Sequence, residues 1–337
     1  MRKILINLLL ILSLNTSAQE ILSLKDRAEV IMKLQKDRLD NLLPSIMQKN
    51  DIDMWVLMTR EYNEDPVIKT MLPPTWLNAR RRTILVFSRN IQTGKFKSVA
   101  ITRYPFGNNI PSIWIKEEQP NQLKALSDYI EKENPKKIGI NFSKHESLSD
   151  GLSKNGFDEL YSSLPTKFQK RLVSAEKLSI AWIETRTNLE MTIFSKLVEI
   201  SNNIIKEAFS TKVITPGVTT TDDVVWWMRE KVIHMGIQTW FHPTVDVQRK
   251  DNSDLYAFDS KSKFDIIKPG DLLHCDFGIS YLTLNTDSQQ LAYVLRPEEK
   301  APPNFLVNAL KEGNKVQDIF TNNFKEGFTG NQILKKS

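Results

Sequence analysis

Cysteine, long apolar runs and an excess of one charge are what this 337-residue sequence lacks. Its only cysteine is Cys275, which excludes an intrachain disulfide, so packing must stabilise the fold. Its longest apolar stretch, Ile4–Leu14, is shorter than the roughly 20 residues that a membrane-spanning helix needs. The 46 basic residues nearly balance the 40 acidic ones, and only Arg80-Arg81-Arg82 forms a tight basic run. We therefore expect no nucleic-acid partner and interpret the three arginines as a solvated edge or a salt-bridge cluster.

The composition is that of a folded, soluble protein. Hydrophobic residues make up 40% of the chain and charged residues 26%, close to the average of soluble globular domains. The length suits two domains, each large enough to bury its own core. The sequence contains no internal repeat and no low-complexity tract.

The first eighteen residues have the order of a signal peptide. Arg2 and Lys3 precede the apolar stretch, and the small residues Thr16-Ser17-Ala18 follow it. Charge, a short apolar core and small residues at the cut are the three parts of such a signal. We predict cleavage after Ala18 and an exported protein, periplasmic or secreted, with no membrane attachment afterwards. An uncleaved N-terminal anchor is the alternative.

Residues 19–175 are predicted to form an accessory α/β domain. Helical patterns cover 24–48 and 121–133, and segments rich in Val and Ile predict strands at 53–58, 82–87, 97–102 and 137–141. Asp65-Pro66 and Pro73-Pro74 are interpreted as loops. The alternation of strands and helices indicates a layered α/β arrangement. This part of the chain carries no catalytic signature.

Residues 176–337 are predicted to form a second, α+β domain. Thr187 to Glu190 has the pattern of a capping box, and apolar residues at a 3.6-residue period then predict a long amphipathic helix to Phe209. Thr220 with Asp223 can cap a second helix that runs through Met235 and stops at Gly236. These helices would cover a sheet whose strands are predicted at 272–279 and 287–295, after a turn at Pro269-Gly270.

Two aspartates in this second domain are candidate metal ligands. Asp276 lies inside the apolar strand 272–278, where an ionised carboxylate is costly unless something compensates it. Asp287 follows on the next strand, so the two carboxylates can lie opposite each other across the ladder. A divalent cation would reverse the repulsion between them. The alternative is a hydrogen-bonded Asp276 and an ordinary Asx turn at Asn285-Thr286-Asp287.

The motifs around these aspartates resemble a known family. Pro269-Gly270-Asp271, Asp276-Phe277-Gly278 and Asp287 resemble the first half of the metal signature of the pita-bread metallopeptidases, the group of Xaa-Pro aminopeptidases and prolidases. Further upstream, Glu184-x-Arg186 and Pro216-Gly217-Val218 look like the entry to that catalytic domain. Residues 24–175 resemble, more loosely, the family's accessory N-terminal domain. The implied architecture is a creatinase-type α/β domain followed by the first half of a pita-bread catalytic domain.

The resemblance implies a reaction and a ligand set. Members of the family hold two divalent metals with two Asp, one His and two Glu, and a bridging hydroxide attacks the scissile carbonyl. Asp276 would bind one metal and Asp287 would bridge both. The protein would then be an aminopeptidase that hydrolyses N-terminal bonds of a peptide substrate, of the Xaa-Pro type. Mn, Zn, Co and Fe are not distinguished, because carboxylate-rich sites accept several ions.

The sequence departs from the family downstream of Asp287. No histidine occurs in residues 288–337, and the four glutamates there are expected on a Pro-flanked loop and a solvated helix over 304–327: Glu298, Glu299, Glu312 and Glu326. We therefore interpret the chain as C-terminally incomplete, inactive alone and weakened by unpaired strand edges. A homodimer could form, but it could not supply ligands that every copy lacks.

Two histidines could act near the aspartates. His242, in Trp240-Phe241-His242-Pro243, resembles a substrate-pocket histidine of the family, with a longer spacing to Asp276 than usual; the alternative is a strand-end histidine bonded to backbone. His274 shares a strand face with Asp276 and could support a ligand by a hydrogen bond. His145 and His234 are interpreted as structural or surface residues.

The remaining candidates have structural interpretations. Cys275 faces away from Asp276, so we expect a buried, inert thiol. Trp226 and Trp227 lie in an amphipathic helix and are expected to pack in the core. Two other functions remain open: a creatinase-like hydrolase without metal, which the two aspartates disfavour, and a non-catalytic peptide-binding protein of the same fold.

Overall fold

The computed structural model describes residues 21–90, 93–249 and 265–337, so the predicted signal peptide lies outside the described residues. Two compact units are present. The first contains the described residues up to Leu197 together with Tyr281–Leu284, and the second contains those of Val198–Ser280 and Asn285–Ser337. The domain boundary at residues 175/176 stays a prediction. Within the described ranges, no helix has both the length and the apolar character to cross a membrane.

The first unit is built on a five-stranded mixed sheet with the order β3-β2-β1-β4-β5. The strands are β1 Met54–Arg60, β2 Arg82–Arg89, β3 Phe96–Ala100, β4 Ile138–Ile140 and β5 Leu172–Ser174. β1 pairs antiparallel with β2 and parallel with β4. The helices of this unit are α1 Leu24–Asp37, α2 Leu43–Lys49, α3 Pro66–Met71, α4 Gln122–Glu133, α5 Lys154–Ser163, α6 Thr166–Gln169 and α7 Glu176–Glu184.

Both faces of this sheet are covered. Side chains of a strand alternate between the faces, so Trp55 and Leu57 of β1 join a core with α2, α3 and α7. Val56 points to the other face and joins a core with α4 and α5. The result is the three-layer α/β arrangement that the alternation of patterns predicted.

Two local predictions for this unit were wrong, and one strand was missed. The helix predicted over 24–48 is interrupted by a π-helical turn, Arg38–Leu42, between α1 and α2. Asp65-Pro66, interpreted as a loop, starts α3 instead, because the Asp65 carboxylate accepts hydrogen bonds from the N–H groups of Val67 and Ile68. β5 was not predicted, because three residues are too few for a periodicity.

The π-helical turn places Arg38 in a buried ion pair. Its Nη1 donates to Glu190 Oε1 at 2.9 Å and Oε2 at 2.8 Å, and its guanidinium lies 4.3 Å from the centroid of the Trp182 ring. Glu190 also closes the predicted capping box, since its Oε2 accepts the Thr187 N–H at 2.8 Å. One carboxylate therefore caps helix α8, Asn188–Ala208, and anchors it to the π-helical turn.

The remaining strands form two small sheets, each with a strand beside helix α9, Thr221–His234, whose capping box of Thr220 and Asp223 is present as predicted. One sheet has the order β11-β8-β7 and the other β10-β9-β6. The strands are β6 Gln238–Thr239, β7 Thr244–Gln248, β8 Leu272–Phe277, β9 Ile279–Tyr281, β10 Leu284–Asn285 and β11 Ser288–Tyr293. The strand predicted over 272–279 is thus divided at Gly278.

The C-terminal part is helical and exposed. The helix predicted over 304–327 is present as α10 Asn304–Asn322 and ends five residues earlier than predicted, and a separate helix, α11 Gly330–Lys336, follows it. Glu326 falls between them, and Glu312 pairs with Lys315 at 2.6 Å on the surface of α10. Glu299 accepts hydrogen bonds from the Arg296 N–H and the Tyr293 hydroxyl.

Candidate metal site

Strands β7 and β8 each have one polar face and one buried face. Along β8 the residues alternate between half-buried and buried positions. His274 and Asp276 lie on the half-buried face, whereas Leu273, Cys275 and Phe277 are buried on the other. The alternation arises because β8 is the central strand and only one of its faces is covered by apolar side chains.

The register makes the two predicted ligands diagonal neighbours. Asp276 pairs with Thr244 of β7 and with Gln289 of β11. Asp287 precedes Gln289 by two residues, so it belongs to the same face and lies diagonally from Asp276. The expectation that the two aspartates lie directly opposite each other was therefore wrong by two residues. Diagonal neighbours still lie within reach of each other.

The environment of Asp276 is that of an incompletely satisfied carboxylate. Its Oδ1 is buried and has no hydrogen-bond partner, and its Oδ2 accepts only a long bond of 3.3 Å from Gln289 Nε2. Burial raises the pKa of Asp276 above its ordinary value, and charge repulsion by Asp287 raises it further, whereas His274 and the Gln289 hydrogen bond lower it in part. An ionised Asp276 thus has one long hydrogen bond and the nearby His274 to offset burial and the Asp287 carboxylate.

Gly278 allows the two carboxylates to approach. A Cβ at this position would lie 2.2 Å from the Thr286 carbonyl oxygen and 2.3 Å from Trp240 Nε1. The same Trp240 Nε1 donates to the Thr286 carbonyl at 2.6 Å. The absence of a side chain therefore lets the segment before Asp287 pack against the end of β8. This is the physical reason for the Asp276-Phe277-Gly278 motif.

A chain of polar contacts connects Asp276 to Gln289, His274 and Asp246. Of these three residues, the sequence predicted only His274. Gln289, whose amide nitrogen reaches Asp276, has its Oε1 3.3 Å from His274 Nε2. His274 Nδ1 lies 3.7 Å from Asp246 Oδ2, and Asp246 is its cross-strand partner on β7. The supporting position predicted for His274 is consistent with this geometry. Gln289 and Asp246 were missed because only the strand register brings them to this face.

His242 lies just before β7 and makes contacts with α9. Its Nδ1 is 3.0 Å from Arg229 Nη1, so Nδ1 must accept and the ring proton resides on Nε2. Its ring stands edge-to-face with Trp226 at 5.5 Å. Trp226 is 51% exposed, which contradicts the prediction of core packing; the side chain covers His242 instead. The interpretation of His242 as a strand-end histidine bonded to backbone finds no such bond among the described contacts.

Two neighbouring groups are structural. Asp271 accepts two hydrogen bonds from Arg249, at 2.8 and 2.7 Å, and one from the Lys268 N–H at 2.7 Å. Burial raises the pKa of Asp271, but these bonds outweigh burial and bring it below the ordinary value. Cys275 is buried, and burial raises the pKa of its thiol to about 11, as expected for an inert side chain.

Asp276 and Asp287 fit a divalent cation as two oxygen ligands, because the unpartnered Oδ1 and the repulsion between the carboxylates both call for positive charge. In the part of the chain that the structure describes, no group of three or more His, Cys, Asp and Glu residues is placed to hold a metal. The described residues thus supply two carboxylates, supported by Gln289.

The fold is similar to that of several aminopeptidases of known structure. An X-Pro aminopeptidase from Thermotoga maritima has a TM-score of 0.60 at 15% identity, over 86% of this chain and 74% of the other. A Bacillus anthracis protein described as an aminopeptidase P has a TM-score of 0.55 at 12% identity, over 85% and 70%. A variant of Escherichia coli aminopeptidase P has a TM-score of 0.51 at 10% identity, over 82% and 63%. No protein-family model and no curated protein matches the sequence.

These similarities confirm the predicted fold resemblance. The chain has the fold of X-Pro aminopeptidases, with the mixed α/β architecture expected from the sequence. At 10–15% identity the similarity establishes the fold, and the function has to be argued from the site.

Proposed function

We propose that the protein is an exported, metal-dependent exopeptidase of the Xaa-Pro aminopeptidase type, in which Asp276 and Asp287 hold a divalent metal. The observation that carries the proposal is Asp276 Oδ1, which is buried without a partner beside a second carboxylate. An X-Pro aminopeptidase shares the fold. Export rests on the signal-like order of residues 1–18.

The residues of the chain would have distinct roles at this site. A divalent metal, when bound, lowers the pKa of its water and polarises the scissile carbonyl. Gln289 holds Oδ2 of Asp276, so Oδ1 is the oxygen that would bind the cation. Because Arg229 occupies Nδ1 of His242, its Nε2–H is free to donate to a carbonyl of a peptide substrate. A second metal, the further ligands and the inactivity of this chain alone stay predictions from the resemblance.

Asp276→Asn tests the metal assignment by thermal unfolding. Removing the charge relieves repulsion with Asp287, so the variant should unfold at a higher temperature than the parent in metal-free buffer. Manganese should raise the Tm of the parent and leave that of the variant unchanged. With a Kd of about 1 mM, 10 mM Mn²⁺ would contribute about 1.4 kcal/mol.

Glu312→Gln is the matched control, since it removes one carboxylate on the exposed surface of α10 and should respond to manganese like the parent. A lower Tm of Asp276→Asn in metal-free buffer, combined with a normal manganese response, would show that Asp276 is a structural hydrogen-bond acceptor and would refute the assignment. Release of an N-terminal residue from an X-Pro peptide in the presence of manganese would support the peptidase and contradict the predicted inactivity.

A further inference from the structure

A second polar site lies in the first unit, in a groove of about 510 Å³. The groove is lined by four arginines and by aromatic side chains. The lining residues include Arg80, Arg81, Arg82, Arg103, Trp76 and Tyr104. The tight basic run of the sequence therefore meets a fourth arginine from the segment after β3.

Most of the positive charge in this groove is uncompensated. Arg82 pairs with Glu159 at 2.7 Å, and the same carboxylate pairs with Arg60 at 3.1 Å. The guanidinium groups of Arg80, Arg81 and Arg103 form no ion pair in the described ranges of the chain, although the Arg81 backbone N–H donates to Glu61 Oε2 at 3.2 Å. The prediction of a salt-bridge cluster thus holds for one arginine of the run, and the other three arginines of the groove line the same open space.

One of these arginines is held by aromatic rings, and a second has an unusual backbone conformation. The Arg80 guanidinium lies 4.6 Å from the centroid of the Trp76 ring and 5.9 Å from that of Tyr104, which leaves its N–H edges free for a planar acceptor. Arg81 has a φ of +55°, a left-handed conformation that glycine or asparagine adopts more easily. Because this backbone conformation disfavours arginine, the residue at position 81 contributes to the groove through its side chain.

We propose that this groove binds a small ligand with two or more oxyanion groups, carboxylate or phosphate. Guanidinium groups match the geometry of both oxyanions with paired N–H donors. Several cations around one concave surface also focus a positive potential that concentrates anions. A volume of 510 Å³ is within the range of small-molecule sites. This binding site is independent of the proposed peptidase activity.

Calorimetric titration of the 337-residue chain with pyrophosphate, and separately with citrate, tests the proposal. Metal-free buffer at constant ionic strength keeps the candidate metal site out of the measurement. We expect at least one of the two anions to bind, and the tighter one identifies phosphate or carboxylate as the preferred group. Arg103→Gln should weaken that binding at least about tenfold, the factor for one lost charge-assisted hydrogen bond.

Two further variants keep the test decisive. Arg81→Asn suits the left-handed backbone, so it should weaken anion binding while unfolding at the same temperature as the parent or higher. Lys144→Gln removes one exposed positive charge of the same unit that does not line the groove, and it should bind like the parent. Absence of binding by both anions at millimolar concentration, parental affinity in Arg103→Gln and Arg81→Asn, or equal weakening in Lys144→Gln would each overturn the proposal.

Discussion

Replacing Gly278 by alanine should destabilise the second unit strongly, and the structure allows the magnitude to be worked out. The new Cβ would lie 2.2 Å from the backbone oxygen of Thr286 and 2.3 Å from Trp240 Nε1. Overpacking of this kind costs about 1–3 kcal/mol. Separating Trp240 from Thr286 also breaks their hydrogen bond, which contributes about 1 kcal/mol. We expect a loss of about 2–4 kcal/mol in the free energy of unfolding.

Urea unfolding followed by tryptophan fluorescence measures this loss, and Gly313→Ala is the matched control. Gly313 lies inside α10 with no atom within 4 Å of an added Cβ. The same substitution there should raise stability by about 0.5–1 kcal/mol, because alanine favours a helix over glycine. A parental urea midpoint for Gly278→Ala would show that the added methyl group is accommodated and would refute the packing argument.

The same variant separates stability from binding. Thr286 directly precedes Asp287, so a displaced Thr286 should move the second carboxylate away from Asp276. The Tm shift caused by manganese should therefore be smaller in Gly278→Ala than in the parent, whereas Gly313→Ala should keep the full shift. An undiminished shift in Gly278→Ala would show that the position of Asp287 does not depend on this close approach.

Three further predictions concern the buried polar groups. Arg38→Ala or Glu190→Ala alone should lower the free energy of unfolding in urea by about 3–5 kcal/mol, because each leaves a buried charge unpaired. A double variant that loses no more than either single variant would confirm the coupling, and additive losses would contradict it. Because the pKa of Asp271 is lowered in the folded state from 3.8, its carboxylate stabilises the fold at pH values above 3.8, and this stabilisation is lost as the pH falls from 3.8 through the lowered pKa. Asp271→Asn should therefore reduce the Tm at pH 7 more than at pH 3. An equal reduction at both pH values would contradict the link with Arg249. The Cys275 thiol, with a pKa of about 11, should react with Ellman's reagent at pH 8 only after unfolding, and rapid reaction of the folded chain would contradict its burial.

Much of the fold followed from periodicity. The strands at 53–58 and 82–87 are largely apolar runs buried on both faces, and they lie next to each other in the first sheet. The two capping boxes were recognisable because each combines a threonine with an acid three residues later. α3 was missed because a proline after an aspartate is compatible with both a loop and a helix start. The π-helical turn at Arg38 has no local pattern, since a distant partner, Glu190, stabilises it.

The candidate site was predictable only in part, for a related reason. The period of two placed His274 and Asp276 on one face and Cys275 on the other. Strand register decides the rest, and a shift of two residues keeps the face but changes the partner. Gln289 instead of Asp287 therefore stands opposite Asp276. Arg229 and Trp226 reach His242 from a helix that no spacing in the sequence relates to it.

Two aspartates five residues apart have contrasting surroundings, and the contrast supports the proposed cation at one of them. Asp271 is surrounded by donors, with both oxygens bonded to Arg249 and one also to backbone, and its pKa is lowered. Asp276 has one buried oxygen without any donor, and its pKa is raised. The same segment thus surrounds one carboxylate with donors and leaves the other with one buried oxygen unbonded, as the proposed metal ligand requires. A hydrogen-bonded structural role would place donors around Asp276 as it does around Asp271, and the contacts of Oδ1 lack them.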